Sequence, residues 1–338
     1  MWRWLFFMVW AGGATAQDLG QILGEVSDGP HAAVLCVYES GATRCETSGH
    51  IRPGARAVSP DDRFAIASVG KTVTAVAVLQ LVQTGRLGLD DPASKWLPPK
   101  HASSFNGITV RHLLTMQSGI QDYYTDDYLD TVLADRSAQS LTFALHNIGQ
   151  ERRKFRPGTR FDYSNSNYVL LHAIIETVTG KPMHEAIAKQ ILGPSGMADS
   201  FVFGTRPLPD DFVNAQEDFR GRGPEDVTFY YRGQGLGDGP LISTAPDLIR
   251  FYQALFIDRS LLDATMLELL MTDATGANYG LGIEVEDVDG IGPVYGHSGA
   301  DLGFVADIRI AHRLGRIAVA LIADPNGDAS VTYDVLEP

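Results

Sequence analysis

A serine and a lysine stand three residues apart at the start of a long apolar segment. Ser68 and Lys71 precede residues 72–84, which carry no charged side chain. Residues three apart lie one turn along the same helix face, and burial favours the neutral amine of a lysine over its ammonium. A hydroxyl at a helix N-terminus beside an amine that can take its proton is an activated nucleophile. The pair predicts acylation of Ser68, although a serine in this position alone would be interpreted as a helix cap.

Two short motifs further along the chain could complete such a site. Tyr163 and Asn165 flank a serine at the start of a predicted helix over residues 166–179, and residues 297–299 read His-Ser-Gly between two strand-like segments. Each motif alone has a structural interpretation, because Ser and Asn are preferred helix caps and a histidine flanked by glycines is ordinary turn chemistry. A tyrosine could act as a base if the fold placed it beside the lysine ammonium.

The order of these motifs resembles the penicillin-recognising serine hydrolases, which include D-alanyl-D-alanine carboxypeptidases, class C β-lactamases and esterases. The resemblance extends to the sequence LLTMQSGI at residues 113–120, to FDYSNSNYVLL at residues 161–171 and to ISTA at residues 242–245. It covers most of the chain from about residue 30 to residue 323. An ordered set of this kind is far more specific than any one motif.

The resemblance implies a role for each residue. Ser68 would be the acylated nucleophile, and Lys71 and Tyr163 would share the proton transfers, with either of them as the base of acylation. The backbone N–H groups of Ser68 and Ala300 would form the oxyanion hole, in which one donor contributes about 3 kcal/mol to the transition state. The residues implied in substrate binding are Asn165, His297, Ser298 and Gly299.

Two departures from the family pattern leave the substrate open. Position 297 is His where β-lactamases carry Lys, so the site lacks a fixed cation for a substrate carboxylate at neutral pH, and we expect weak hydrolysis of β-lactams. Met116 replaces the usual histidine of the LLTHTSG segment. Peptides, lactams and esters all remain candidate substrates. An inactive relative that binds cell-wall peptides without cutting them is an alternative of a different class.

A second alternative is an exported ATPase. Residues 65–72, AIASVGKT, nearly match the phosphate loop G-x-x-x-x-G-K-[ST], but the first glycine is replaced by Ala65. Residues 296–300 also approach the G-x-S-x-G nucleophile motif, with Ala300 in the last position. The sequence contains neither H-E-x-x-H nor C-x-x-C, so we expect no metal and no other cofactor.

The secondary-structure pattern indicates how one fold could gather these residues. Strand-like segments lie near both ends of the chain, and residues from about 90 to 235 are helical and rich in loops. This order predicts an α+β fold of the β-lactamase/transpeptidase type, in which both chain ends build one antiparallel sheet flanked by helices. We expect a single domain over residues 17–338, with a sheet part at about 30–85 and 240–325 and an inserted helical part at about 90–235. Two separate domains are the alternative.

The N-terminus and the cysteines point to export. Residues 1–16 combine an early arginine, an apolar stretch and a terminal Ala-Thr-Ala, as in a signal peptide cleaved after Ala16, which predicts a periplasmic or secreted protein. Cys36 and Cys45 flank Ser40-Gly41, which could be the centre of a tight hairpin. That register makes the two cysteines a non-hydrogen-bonded pair with Cα atoms about 4.5 Å apart, which suits a disulfide. Reduced, buried cysteines are the alternative.

Composition excludes several classes of protein. The chain has 338 residues, of which 44% are hydrophobic and 20% charged, which predicts a globular protein with a core rather than a disordered one. Its 27 basic and 41 acidic residues give a formal charge of −14, which disfavours nucleic acid and anionic lipid as partners. We expect a monomer without stable membrane insertion that takes a small-molecule or peptide substrate, with peptidoglycan-derived peptides among the candidates.

Overall fold

The computed structural model describes residues 16–26, 31–98, 103–150, 152–218, 221 and 223–337. The predicted signal peptide lies outside these residues except for Ala16, where the first helix begins. The helices are α1 Ala16–Val26, α2 Gly70–Gln83, α3 Val110–Leu114, α4 Asp126–Ala134, α5 Leu141–Gln150, α6 Ser166–Thr179, α7 Met183–Ile187, α8 Gly193–Ser195, α9 Ala245–Tyr252 and α10 Ala264–Met271. The strands are β1 Ala33–Glu39, β2 Ala42–Ser48, β3 Phe64–Ala65, β4 Phe201–Val202, β5 Gln216–Glu217, β6 Glu225–Asp226, β7 Leu241–Ser243, β8 Glu284–Val288, β9 Gly292–Asp301, β10 Phe304–Ala311 and β11 Arg316–Ile322. Within the described ranges, no helix combines the length and the apolarity needed to cross a membrane.

Strands from the two ends of the chain form one six-stranded antiparallel sheet, in the order β2-β1-β11-β10-β9-β8. The central pair places Ala33 of β1 opposite Ile322 of β11, and Tyr38 opposite Ile317. Most residues of β1 and all of β11 are buried, because both faces of the sheet are covered and their sequences are nearly continuous apolar runs. The predicted sheet from both chain ends is confirmed.

The hairpin of β1 and β2 turns at Ser40 and Gly41. Both residues have positive φ, 51° and 86°, as a type I′ turn requires, and such turns match the twist of the strands they join. The register pairs Cys36 with Cys45. The two cysteines form a disulfide with Cα atoms 4.1 Å apart, as the sequence predicts.

The helix α2 is the central helix of the core. It is built from Val, Ala, Leu and Thr on all its faces, and eleven of its residues are buried. It packs against α6 and α7, and it ends at Gln83, two residues before Gly85, whose φ is 68°. Just before it, β3 pairs with β7, and the 3₁₀ helix Ala67–Val69 links β3 to α2. Ser68 therefore lies between a strand that is fixed in a sheet and a buried helix.

A mainly helical part separates the two groups of sheet strands. Its central element is α6, which begins at Ser166 and ends at Thr179 as predicted, with Gly180 in the left-handed conformation that commonly ends helices. The helices α3 and α5 pack against α6. The Tyr-Ser-Asn motif directly precedes the N-terminus of α6, so the position of this helix sets the position of the motif.

A second apolar cluster lies on the outer face of the six-stranded sheet. It joins Leu19 and Leu23 of α1 to sheet residues such as Leu35, and to Val335 and Leu336 near the C-terminus. Leu19, Leu35 and Leu336 have no exposed surface. The first helix and the last described residues therefore cover the face of the sheet that points away from α2.

Candidate active site

The turn that carries Ser68 is held by close contacts on its flanks. Ala67 has φ of 46°, a left-handed conformation that non-glycine residues adopt only when their surroundings impose it. A Cβ on Gly70 would lie 2.7 Å from Cδ of Pro240, and one on Gly239 would lie 3.1 Å from the carbonyl oxygen of Ala67. Neither the 3₁₀ helix nor α2 has a side-chain cap, so the capping alternative for Ser68 is wrong. The turn presents Ser68 at the N-terminus of α2.

The side chain of Lys71 is completely buried beneath Ser68. Its Nζ donates to Oγ of Ser68 over 2.7 Å and to the carbonyl oxygen of Asp238 over 2.6 Å. The same Nζ lies 5.1 Å from the centre of the Tyr163 ring and 5.8 Å from the centre of the Tyr168 ring. The structure thus brings Ser68, Lys71 and Tyr163 together from distant stretches of the chain.

The amide of Asn165 is held by a carboxylate that the sequence motifs do not include. Asn165 donates to Oδ2 of Asp122 from its side chain over 2.9 Å and from its backbone N–H over 3.2 Å. Asn165 makes no side-chain cap on α6, so the capping interpretation is wrong for this residue too. The loop around Asp122 is fixed in turn by Ser166, whose hydroxyl donates to the carbonyl of Gln121 and accepts from the N–H of Tyr123. Asn165 lines the cleft in front of Ser68.

The strand β9 passes close to the Ser68 turn at Gly299. A Cβ on Gly299 would lie 2.7 Å from the carbonyl oxygen of Ile66 and 2.9 Å from the backbone nitrogen of Ser68, so only glycine allows this approach. The next residue, Ala300, lines the same cleft as Ser68. The edge strand β8 pairs only with residues 292–296 of β9. Beyond that point the Ser68-facing edge of β9 is not covered by β8, as a substrate-binding strand requires.

The side chain of His297 is buried, and contact of this strand residue with a substrate stays a prediction. The ring is 1% exposed; its Nδ1 lies 2.6 Å from the carbonyl oxygen of Ser298, and its Nε2 lies 3.1 Å from the hydroxyl of Tyr279. Both ring nitrogens are therefore occupied, and the ring supports β9 from the interior instead of facing a substrate. Burial lowers the pKa of His297 to about 4, against the opposing effect of Glu284. The imidazole is neutral at pH 7.

Glu284 of β8 anchors the His-Ser-Gly segment. Its Oε1 accepts from the hydroxyl of Ser298 over 2.9 Å and from the N–H of Ser298 over 3.3 Å, and its Oε2 pairs with Arg309 over 2.5 Å. The hydroxyl of Ser298 is thus engaged with the sheet. The backbone N–H of Ser298 is held by the same carboxylate and its carbonyl oxygen lies against His297, so the polar backbone groups of Ser298 are also engaged within the protein.

The cleft in front of Ser68 encloses about 480 Å³, its open mouth included. Its walls come from the nucleophile turn, the loop after α3, the segment 230–239 and the end of β9. The lining residues are Ala67, Ser68, Tyr123, Tyr124, Gln139, Asn165, Phe203, Tyr230, Gln234, Leu236, Asp238, Gly239, Ala300 and Asp301.

Two carboxyl groups in this lining have perturbed pKa values. Burial raises the pKa of Asp238 to about 6, although Lys71 and a 2.9 Å hydrogen bond from the hydroxyl of Tyr123 oppose the shift. Burial also raises the pKa of Asp301, whose Oδ1 accepts from the hydroxyl of Tyr124 over 2.8 Å. Perturbed carboxyls beside a candidate nucleophile are typical of functional sites.

The sequence motifs missed four residues of the site. Asp122, Asp238, Glu284 and Asp301 are single acidic residues in loops or strands, and nothing local distinguishes them from the other acidic residues of the chain. Asp301 had the strongest signal, because it directly follows Ala300.

Fold and site together define a class, the serine hydrolases that have the β-lactamase fold and a Ser-x-x-Lys nucleophile. The chain belongs to the Beta-lactamase family, whose family model matches residues 19–335. This membership removes the support for an exported ATPase, and the near match to the phosphate loop is the turn that carries Ser68.

Relatives with several activities share this fold. The chain is 28% identical to penicillin-binding protein 4* of Bacillus subtilis and 30% identical to a D-aminopeptidase of Brucella anthropi. Each alignment covers 74% of the present chain. These alignments cover 58% and 47% of the two relatives, so the chain spans about half the length of the curated relatives it matches. A D-stereospecific amidohydrolase from Streptomyces has a similar structure, with a TM-score of 0.81, 28% identity and coverage of 95% of this chain and 98% of the other.

Proposed function

We propose that this chain hydrolyses an amide or ester bond through an acyl-enzyme on Ser68. The observation that carries the proposal is the 2.7 Å contact between Nζ of the buried Lys71 and Oγ of Ser68, in a cleft that Ala300 also lines. A hydroxyl paired with a buried amine at a helix N-terminus has both a proton acceptor and a field that favours the developing anion.

The reaction follows from the positions of the groups. Oγ of Ser68 attacks the carbonyl carbon of the substrate, and its proton passes to the neutral amine of Lys71 or to the phenolate of Tyr163. The carbonyl oxygen becomes an oxyanion that accepts from the N–H groups of Ser68 and Ala300. The bond to the leaving group breaks, and the leaving amine or alcohol takes the proton. Water then attacks the carbonyl carbon of the acyl-enzyme while the same base takes a proton from it. The ester bond to Oγ breaks, Oγ of Ser68 receives that proton, and the acyl group leaves as a carboxylic acid.

The cleft favours amide or ester substrates over β-lactams. Recognition of a carboxylate beside the reacting carbonyl calls for a cation, and the imidazole at position 297 is buried and neutral. The relatives named a D-aminopeptidase and a D-stereospecific amidohydrolase support amide cleavage. A penicillin-binding relative keeps peptidoglycan-derived peptides among the candidates. A panel of nitrocefin, D-alanyl-D-alanine peptides and p-nitrophenyl esters distinguishes the three classes.

Covalent labelling tests the proposal. A fluorescent fluorophosphonate should label the wild type and fail to label Ser68→Ala, with both proteins showing the same circular dichroism spectrum. Ser104→Ala, which removes an exposed hydroxyl outside the cleft, is the matched control and should label at the wild-type rate. Equal labelling of wild type and Ser68→Ala would exclude Ser68 as the nucleophile. A folded wild type that accepts neither fluorophosphonate nor penicillin would instead be the inactive peptide-binding relative.

We also propose that the protein is exported, with cleavage after Ala16. The apolar stretch and the Ala-Thr-Ala sequence before this position support the proposal, and the disulfide between Cys36 and Cys45 suits an oxidising compartment. N-terminal sequencing of the protein from a periplasmic or culture fraction should begin at Gln17.

A monomer is the proposed state in solution. Light scattering coupled to size-exclusion chromatography should give the mass of one chain, and twice that mass would contradict this proposal.

A further inference from the structure

The lining of the catalytic cleft is rich in groups that accept hydrogen bonds. It contains the carboxyls of Asp238 and Asp301, while none of its described residues is a lysine, arginine or histidine. Lys71 lies beneath the cleft, and its Nζ is already bonded to Ser68 and to a backbone carbonyl. A ligand that enters this cleft meets negative charge without a positive side chain in the wall to balance it.

An unsatisfied acceptor lies in the same wall. Gln139 is 4% exposed, and its Oε1 is buried without a hydrogen-bond partner. A buried amide oxygen without a partner costs about 1–3 kcal/mol, and a ligand that donates a hydrogen bond to it would recover this free energy. Gln139 lines the same cleft as Asp301.

Aromatic rings surround these acceptors. Tyr123 and Tyr124 pack edge to face, with ring centres 6.2 Å apart, and Tyr230 completes the set of tyrosines in the lining. Aromatic faces attract organic cations, and carboxylates bind them by charge-assisted hydrogen bonds. Among the residues that the structure describes, no group of three or more His, Cys, Asp and Glu side chains could hold a metal ion. The chemistry of the lining therefore suits an organic ammonium better than a metal cation.

Asp301 is the carboxyl that such an ammonium would meet beside the reacting bond. Its Oδ1 is fixed by the hydroxyl of Tyr124 over 2.8 Å and by the N–H of Leu302 over 2.9 Å, and the residue directly follows Ala300. A carboxylate in the same cleft as a developing oxyanion opposes the growth of negative charge there. A bound ammonium would cancel this repulsion, so the effect of the amine would extend from binding to the rate of acylation.

We propose that the cleft selects substrates that carry a free ammonium group, and that Asp301, assisted by Gln139, is the residue that accepts it. The substrate class is then amino acid amides, esters or peptides with an unblocked amine, in preference to N-acylated compounds. This inference rests on the proposed acyl-enzyme function of Ser68 and names the class of substrate for the same site. Burial raises the pKa of both carboxyls although Lys71 opposes the shift, and a substrate ammonium beside them would stabilise their ionised form further.

A protection assay tests the inference without requiring turnover. Ser68 is labelled by a neutral fluorophosphonate at pH 7 in the presence of alaninamide or of N-acetylalaninamide, each as the D and the L enantiomer. Wild type should be protected by one alaninamide enantiomer at a concentration about 10- to 100-fold lower than by its N-acetyl form, as expected for a charge-assisted hydrogen bond. The same preference should appear in kcat/KM when alanine p-nitroanilide is compared with its N-acetyl form. A higher kcat for the free amine would reflect the loss of repulsion between Asp301 and the oxyanion.

Variants then assign the preference to Asp301. In Asp301→Asn, free and N-acetylated alaninamide should protect Ser68 at nearly the same concentration. Asp289→Asn makes the same chemical change at an exposed position in the turn between β8 and β9, and should keep the wild-type ratio. Equal protection of wild type by the free and the acetylated compound would overturn the inference even if Asp301→Asn failed to fold. Protection of wild type by CaCl₂ or MgCl₂ alone would also overturn it, in favour of a metal site.

The assay separates failure of this inference from failure of the proposed function. If Ser68 is labelled and no preference for the free amine appears, the acyl-enzyme proposal stands and only the inference is wrong. If wild type is never labelled at Ser68 by any probe, the proposed function fails and the inference fails with it.

Discussion

Replacement of Gly299 by alanine tests whether β9 and the Ser68 turn together form an oxyanion hole. Gly299 is not among the glycines with positive φ, so alanine can adopt its backbone conformation and only the space for a methyl group is at issue. The added Cβ would lie 2.7 Å from the carbonyl oxygen of Ile66 and 2.9 Å from the nitrogen of Ser68, where ordinary contacts begin at 3.4 Å. Strand and turn must therefore separate by about 0.5–0.7 Å.

The size of the effect follows from this displacement. Complete loss of one oxyanion-hole donor lowers kcat by about 10²- to 10³-fold, and a shift of about half an ångström removes part of that contribution. We expect kcat of Gly299→Ala to fall about 10- to 100-fold with a smaller change in KM, because the donors act mainly on the transition state. This loss corresponds to about 1.4–2.7 kcal/mol of transition-state stabilisation.

The measurement is steady-state hydrolysis of a p-nitrophenyl ester, with thermal unfolding to establish that the variant is folded. Gly20→Ala is the control, since a Cβ on Gly20 would meet no heavy atom within 4 Å. A folded Gly299→Ala enzyme with kcat within about threefold of wild type would refute the assignment of the oxyanion hole to the Ser68 turn and β9.

Three further predictions concern the base, the disulfide and the buried histidine. Lys71→Met should lower kcat by at least about 10²-fold in the same ester assay, because it removes the amine bonded to the nucleophile. The double variant Cys36→Ala/Cys45→Ala should lose about 2–3 kcal/mol of unfolding free energy in urea, since the disulfide closes a loop with a sequence separation of 9. Burial lowers the pKa of His297 to about 4, whereas an unfolded chain titrates its histidines near pH 6.5. Between these two pH values the unfolded state therefore binds a proton that the folded state does not. In urea unfolding, the unfolding free energy of wild type should fall by about 2 kcal/mol more than that of His297→Gln between pH 7 and pH 4.5.

Each of these predictions has an outcome that contradicts it. Lys189→Met removes an exposed lysine and should keep wild-type activity; a small loss in Lys71→Met would point to Tyr163 as the sole base. Unchanged stability of the double alanine variant, or two free thiols in unreduced wild type, would show that the disulfide contributes nothing. Parallel pH profiles of wild type and the histidine variant would show that the imidazole titrates normally in the folded protein.

The sequence predicts those parts of the structure that are written in local patterns. The hairpin register of Cys36 and Cys45 follows from turn chemistry over a few residues, and α2 and α6 follow from apolar runs that end at glycine. The nucleophile and its lysine are one helical turn apart, so their contact is a local property as well.

The parts that the sequence did not predict depend on contacts between distant segments. Asp122 accepts a hydrogen bond from Asn165, 43 residues further along the chain, and Glu284 holds Ser298 from the neighbouring strand. The burial of His297 was also missed, because the sequence does not show that Tyr279 and Glu284 enclose its ring. A motif identifies which residues belong to a site, while the direction in which a side chain points depends on neighbours that only the tertiary fold brings together.

The pairing of β1 with β11 has a consequence for how the protein forms during synthesis. The strand β1 and the Ser68 turn are synthesised more than 200 residues before Ala300 and β11, the strand that covers one of the two edges of β1. Contacts of such high contact order form slowly, and until they form, β1 offers an unpaired edge that can join another nascent chain. The oxyanion hole proposed for Ser68 and Ala300 can therefore form only after β9 has reached the Ser68 turn, and protection of the open edge of β1 matters most before that step.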